Sequence, residues 1–317
     1  MENEKIKELT DSISKTIVGK KDVIQKVITA LLCEGHVLIE DVPGVGKTQL
    51  IASLSRSLNG KFNRLQMTPD IMPSDVIGFS MINTGTGEFE YRQGAVMCNF
   101  LLADEINRAS PKAQSSLLEV MEEGQVSLDG QTHKLPSPFM VMATQNPVET
   151  YGTYHLPEAQ MDRFFMKVSM GYPSMDEELI ILERTEYCNP VNFIDHPVAS
   201  LEQIKNLQDQ VKKVTVVHSV KKYIAEIVRN TRDNEIVTLG VSPRGTISLY
   251  KAAKATAFIN GRNYVTPDDV KYIAESVLSH RIILSVMGKA KYNSSSQFIS
   301  RILSITPVPV QKQDSMQ

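Results

Sequence analysis

Apolar positions in the first half of the chain fall into short clusters separated by amphipathic stretches. Residues 36–40, 62–67, 100–104, 139–144 and 164–170 are brief and apolar, and several end in polar or turn residues. Runs of that length, spaced by helical patterns, predict parallel βα units and a three-layer αβα sandwich. Ligands of such sheets sit beyond the C-terminal ends of the strands, where the loops gather. From about residue 173 the pattern turns helical throughout. Residues 220–231 and 244–259 carry apolar side chains at helical spacing, and Thr266-Pro267-Asp268-Asp269 opens a helix to about residue 280. The expected fold class is α/β: a core with a parallel sheet over residues 1–197, then a smaller all-α domain over residues 198–317. Prolines and polar residues from 307 onward predict a loose tail.

Two stretches break the βα rhythm. Residues 81–96 contain Asn83-Thr84-Gly85-Thr86-Gly87, followed by Phe89 and Tyr91 in alternation. Residues 125–135 place Val126 and Leu128 before an Asp129-Gly130 turn. Both patterns predict β-hairpins. Between them, Ser110 as N-cap, Pro111 at the first helical position and Gly124 past the end delimit a helix.

Composition narrows the class without naming it. At 317 residues the chain suits two domains, and 42% hydrophobic with 22% charged residues is ordinary for a soluble globular protein. A formal net charge of −2 lacks the basic excess that nucleic acid or a membrane surface demands. Cys33, Cys98 and Cys188 are dispersed and form no CxxC, so neither a disulfide framework nor a thiolate zinc site is expected. The first ten residues have no apolar core of a signal peptide, and the run 27–33 is too short to span a bilayer. These features predict a cytoplasmic protein with no membrane segment.

The chemistry concentrates behind the first strand. Asp41-Val42-Pro43-Gly44-Val45-Gly46-Lys47-Thr48 matches the phosphate-binding pattern GxxxxGK[ST], with Asp41 in place of the leading glycine. Gly44 and Gly46 allow backbone N–H groups to turn inward around phosphate oxygens. The helix opening at Gln49 adds the positive end of its dipole. Lys47 is placed for the β- and γ-phosphates, and the Thr48 hydroxyl for magnesium. The loop as a whole, Pro43 through Gln49, is expected to hold ATP.

A second strand, 100–104, ends in Asp104-Glu105. The first carboxylate suits the magnesium of the phosphate loop, and the second suits a general base that orients the attacking water. Two adjacent acids at the end of a buried strand are costly unless a cation compensates them.

With these motifs in order, the chain resembles the AAA+ ATPases and, among them, the MoxR family. The likeness runs through Ile39-Glu40-Asp41 and the phosphate loop, Thr68-Pro69-Asp70, Ala103-Asp104-Glu105-Ile106-Asn107-Arg108, Ala143-Thr144-Gln145-Asn146-Pro147 and Leu156-Pro157-Glu158-Ala159-Gln160-Met161-Asp162-Arg163-Phe164, to Ser242-Pro243-Arg244. It covers nearly the whole chain, and Asp41 fits the MoxR pattern. The resemblance implies a P-loop AAA+ core followed by a helical lid. It implies that Asn146 is the sensor 1 residue beside the lytic water and that Arg163 is an arginine finger for the neighbouring subunit's ATP. It further implies that Arg244 is sensor 2 on the lid and that Val18-Gly19 line the adenine pocket. The hairpins correspond to the helix-2 and pre-sensor 1 inserts shared with magnesium chelatases and MCM helicases. Without the resemblance, Arg163 reads as a surface ion pair with Asp162 or Glu158, and Arg244 as a charge at a helix N-terminus.

The six histidines show no HExxH or paired ligand spacing, so no zinc site is expected. Thr144 and Ser242 have no adjacent base in sequence and are not nucleophile candidates. The expected function is a MoxR-type ATPase using ATP and Mg2+ to remodel or mature a protein client, with metal-cofactor insertion as one such maturation. The resemblance also implies a homo-oligomeric ring, a hexamer, a partner with a von Willebrand factor A domain, and no nucleic acid. A helicase-like or chelatase-like motor and a non-hydrolysing nucleotide-gated scaffold stand as alternatives.

Overall fold

A computed structural model describes residues 2–85, 87–147, 152–185, 190–232 and 235–309. Cys188, Thr86 of the first hairpin turn and the tail from 310 lie outside the described residues. The chain divides into two compact units, Met1–Gln208 and Asp209–Gln317. The division falls inside the helix Leu201–Lys213, where the sequence reading set it at 197/198, ahead of that helix.

The first unit opens with helices α1 (Glu2–Ser14) and α2 (Lys21–Leu32). Its strands are β1 (Val37–Glu40), β2 (Phe62–Gln66), β3 (Gly78–Ile82), β4 (Phe89–Gln93), β5 (Phe100–Asp104), β6 (Gln125–Leu128), β7 (Gln131–Lys134), β8 (Met140–Gln145) and β9 (Met166–Val168). Helices α3 (Lys47–Ser57), α4 (Pro73–Ile77), α5 (Pro111–Glu123), α6 (Glu158–Met161), α7 (Met175–Thr185) and α8 (Leu201–Lys213) connect or follow them.

Five strands form one parallel sheet in the order β2-β5-β8-β1-β9. The inner strands are near-continuous apolar runs because both faces are covered. Phe100–Ala103, Met140–Thr144 and Val37–Ile39 are all buried. β2 lies at the edge and mixes polar with apolar residues. Registers keep the C-terminal ends level: Gln66 pairs with Asp104, and Glu40 with Gln145. Every loop carrying a candidate site residue from β1, β5 and β8 therefore leaves the sheet along one edge.

Both predicted hairpins are present. In the second, Gln125 pairs with Lys134 and Leu128 with Gln131, across Asp129 and Gly130 at φ +49° and +76°. Positive φ at both central residues is the two-residue turn that matches strand twist. The first hairpin starts at Gly78, three residues before the expected 81, and Ile82 pairs with Phe89. The hairpins meet where Tyr91 stacks on His133, with ring centroids 4.0 Å apart.

The second unit is helical, with α9 (His218–Arg229), α10 (Pro243–Ile259), α11 (Pro267–Leu278), α12 (Val286–Lys291) and α13 (Ser295–Ile305). It also carries a short antiparallel ribbon, β10 (Val237–Leu239) with β11 (Ile283–Leu284). Thr266 and Asp269 form the capping box that starts α11, and Arg262 clamps both oxygens of Asp269 at 2.5 and 2.6 Å. Burial alone would raise the Asp269 carboxyl, but hydrogen bonds from Arg262 and Thr266 hold it below the ordinary range. Among the described residues, no helix is long and apolar enough to cross a membrane. Cys33 and Cys98 are not joined in a disulfide, and burial pushes the Cys98 thiol up to about 12.

Candidate active site

A cavity of about 860 Å³ opens at the C-terminal ends of β1, β5 and β8. That volume falls within the range of about 300–1,000 Å³ typical of small-molecule sites. Its lining is mixed in chemistry. Lys47, Thr48, Asp104, Glu105 and Asn146 are polar, while Ile17, Val18, Tyr172, Pro173, Ile181 and Leu182 supply apolar surface.

The phosphate loop, Pro43 through Thr48 with Gln49 behind it, forms one wall. Gly44 and Gly46 adopt φ of +87° and +91°. Nothing crowds a Cβ at Gly44, so glycine is required there by torsion, not by space. Gly46 is the N-cap of α3 and provides no side-chain cap, which leaves first-turn N–H groups open to an anion. The Lys47 ammonium donates to the carbonyl oxygen of Asp41 at 3.0 Å, so the loop folds on its own cation.

Asp41, the residue that departs from the general motif, has a defined task. Its carboxylate accepts from Val42 N–H (3.2 Å), the Ser169 hydroxyl (3.1 Å), Gly171 N–H (2.9 Å) and Met170 N–H. It is buried and fixes the start of the phosphate loop to the chain leaving β9. That chain continues through Tyr172 and Pro173 into α7, whose Ile181 and Leu182 also line the cavity.

β5 lies one strand beyond β8 from β1, hence about 10 Å away. This gap separates Asp104-Glu105 from the phosphate loop. Thr144, fully buried on β8, locks the acid pair in place. Its hydroxyl donates to Asp104 Oδ1 at 2.6 Å and accepts from the Glu105 N–H at 2.8 Å. Glu105 itself sits at φ +56°, ψ +52°, a left-handed conformation costing a glutamate roughly 1–2 kcal/mol. The bond from its N–H to Thr144 helps hold it there. Glu105 Oε2 accepts from Gln66 Nε2 at 2.8 Å and Arg108 at 3.2 Å. Asp104 Oδ2 accepts from Arg64 at 2.7 Å.

Most residues singled out from sequence thus converge. Val18, Pro43, Gly44, Val45, Gly46, Lys47, Thr48, Gln49, Asp104, Glu105 and Asn146 line one cavity. Gly19 adjoins it in sequence but is not among the lining residues. Arg163 lies outside it: its guanidinium donates to the Leu118 carbonyl at 3.0 Å and pairs with Glu122 at 3.2 Å. Arg244 is exposed in the first turn of α10, in the second unit, behind the Ser242 cap.

Sequence reasoning missed Arg64, Gln66 and Arg108, and it set Thr144 aside for want of a neighbouring base. The structure puts the Asp104 carboxylate next to Thr144, yet the buried hydroxyl is used up in positioning. Its position one residue before Gln145-Asn146 in a buried strand was the available signal.

The donor set fits a hard divalent cation. Asp104 and Thr48 offer a carboxylate and a hydroxyl to one cavity, and the Asp104 oxygen not used by Thr144 already attracts a positive group. Among the described residues no cluster of three or more His, Cys, Asp or Glu could bind a metal by protein ligands alone. A cation here relies on phosphate oxygens for the rest of its shell.

The chain is similar to known proteins along most of its length. Residues 36–166 match the family model of the ATPase family associated with various cellular activities (AAA), and residues 229–302 match that of the AAA lid domain. Protein YeaC of Bacillus subtilis (strain 168) is 51% identical over 302 residues, spanning 95% of this chain and 94% of its own. Chaperone MoxR1 of Mycobacterium tuberculosis is 41% identical over 306 residues, spanning 94% of this chain and 80% of its own. A crystal structure of a candidate ATPase from Cytophaga hutchinsonii superposes with a TM-score of 0.90 at 40% identity, covering 98% of this chain and 96% of that one.

Proposed function

Because this chain belongs to the MoxR family of AAA+ ATPases, we propose that it hydrolyses ATP with magnesium and uses the energy to remodel or mature a protein client. The observation that carries the reading is the convergence of Lys47, Thr48, Asp104, Glu105 and Asn146 on one cavity that also has apolar lining. The adenine base would lie against the apolar lining, near Val18 and Tyr172. The phosphates would lie along Gly44–Thr48, taking Lys47 from the Asp41 carbonyl.

Thr48 and Asp104 hold magnesium in this reading, where it would neutralise charge developing on the phosphate oxygens. Glu105 takes a proton from the attacking water, and Asn146 orients that water. For Glu105 to act, its Oε2 exchanges the bonds from Gln66 and Arg108 for the water. Arg163, outside its own subunit's cavity, serves the ATP of a neighbour and contributes a factor of about 10³–10⁵ to the rate. Arg244 acts as the sensor on the second unit. Such a division of labour calls for a ring, which we take to be a cytoplasmic hexamer.

The name of the mycobacterial relative, a chaperone, supports a protein client. So does the net charge of −2, which offers no general attraction for nucleic acid. The partner class we propose is a protein with a von Willebrand factor A domain, and insertion of a metal cofactor is one maturation that would fit. Glu105→Gln protein, loaded with ATP, tests this as bait in lysate of the source organism. ATP-dependent recovery of a von Willebrand factor A protein supports the reading. Recovery of nucleic acid or replication proteins alone, with hydrolysis stimulated by DNA or RNA, overturns it in favour of a helicase-like motor.

A further inference from the structure

Arg64 belongs to no motif, yet it touches the carboxylate on which the cation site depends. It lies on the edge strand β2, two residues from Gln66, so both side chains project from the same face. Its guanidinium donates to Asp104 Oδ2 at 2.7 Å and to Gln66 Oε1 at 3.3 Å. Asp104 Oδ1 is already committed to Thr144. The oxygen held by Arg64 is therefore the one left to face a cation. Arg64, Thr48 and Asp104 line the same cavity.

The exposures of the two partners say which of them needs the pair. The Arg64 side chain is 51% exposed and would be well solvated without a partner, whereas that of Asp104 is 15% exposed and stands beside Glu105. A largely buried carboxylate next to another acid is costly without a counter-charge. A guanidinium does not lose its proton, so it can only vacate the oxygen by moving. Its position on an edge strand, half in solvent, leaves room for that motion.

We infer that Arg64 is a resident counter-ion: it occupies the metal-facing oxygen of Asp104 and competes with the divalent cation for it. This rests on the reading that Thr48 and Asp104 hold magnesium. Arg64 would keep the acid pair neutralised and correctly placed while the site is empty. It would also make cation binding weaker than the bare carboxylate allows. The site then favours a cation that arrives with phosphate ligands over a free one. A half-exposed ion pair is worth a few-fold in such a competition, so losing Arg64 should tighten cation binding by about threefold to tenfold.

The test uses full-length protein saturated with ADP and freed of excess nucleotide, with Mn2+ as the probe, followed by electron paramagnetic resonance. Arg64→Gln and Arg64→Met should each lower the Mn2+ dissociation constant about threefold to tenfold, and Arg64→Lys, which keeps the charge, should stay within about twofold of wild type. A merely structural ion pair would lower thermal stability on mutation without tightening cation binding. Unchanged or weaker Mn2+ binding in both neutral variants overturns the inference. Asp104→Asn separates the two levels: if it leaves Mn2+ binding intact, the reading of the cation site itself is wrong.

Discussion

The Thr144 hydroxyl stands 2.6 Å from Asp104 Oδ1 and is the acceptor for the N–H of the next residue, Glu105. One buried side chain thus fixes both the carboxylate proposed to hold the metal and the backbone of the residue proposed as general base. Thr144→Val keeps the shape and deletes both bonds. It leaves the Glu105 N–H without an acceptor and should cost about 1–3 kcal/mol of stability. Phosphate release should fall at least about tenfold, whereas Thr144→Ser should retain most of it. Turnover and melting temperature measured together check this. Wild-type turnover in Thr144→Val would remove the positioning role.

Asp41 makes an opposite-looking prediction. Asp41→Gly restores the general phosphate-loop motif and, from motif matching alone, should be harmless. The structure says otherwise, because Ser169, Met170 and Gly171 all lose their acceptor. Hydrogen bonds to a charged group contribute about 1.5–3 kcal/mol. The variant should therefore melt several degrees lower, at roughly 2–4 °C per kcal/mol. Its ATP affinity should fall as well, since the loop and the lead-in to α7 separate. Calorimetric scanning and ATP titration provide the readouts.

His36 gives the first unit a pH dependence. Val141 N–H donates to Nδ1 at 3.0 Å, so the ring proton is on Nε2, which donates to the Met121 carbonyl at 2.9 Å. Protonating Nδ1 would set two N–H groups against each other in the core. Burial accordingly lowers the His36 pKa to about 4, against 6.5 for the free side chain, although the Met121 bond works the other way. With the folded value depressed, the unfolded chain binds the extra proton first. Stability is fully present above about pH 6.5 and is lost as pH falls towards 4, by up to about 3 kcal/mol. Denaturant titrations across that window should show this slope in the wild type and a shallower one in His36→Gln.

Arg163 is tethered to α5 through Leu118 and Glu122 and lies outside its own cavity. Arg163→Ala should lower hydrolysis at least about a hundredfold while leaving ATP affinity within a few-fold. Lys47→Ala should abolish tight ATP binding. Mixed assemblies of the two variants pair an intact pocket with an intact finger, and some activity should return. No recovery despite demonstrated co-assembly would count against action in trans.

What the sequence disclosed depended on how local the signal was. β1, β5 and β8 were legible because their apolar runs are covered on both faces, and the phosphate loop because its backbone needs glycine at positions 44 and 46. The Asp129-Gly130 turn announced its hairpin for the same reason. α1 went unread because its charges masked Ile6, Leu9 and Ile13, which are buried at helical spacing. Arg64 and Gln66 were out of reach for a different cause. They meet the acid pair only because β2 lies beside β5, and strand order is not a property of any single segment. Glu122 likewise becomes the partner of Arg163 across 41 residues, where the sequence offered only Asp162 and Glu158.

In the proposed mechanism this cavity hydrolyses ATP with Glu105 as the base. The most direct measurement is phosphate release by wild type and Glu105→Gln at saturating ATP and magnesium, with ATP affinity measured on the same preparations. Turnover is expected in the wild type, with a fall of at least about a hundredfold in the variant and ATP affinity preserved within a few-fold. Hydrolysis persisting at the wild-type rate in Glu105→Gln would contradict it.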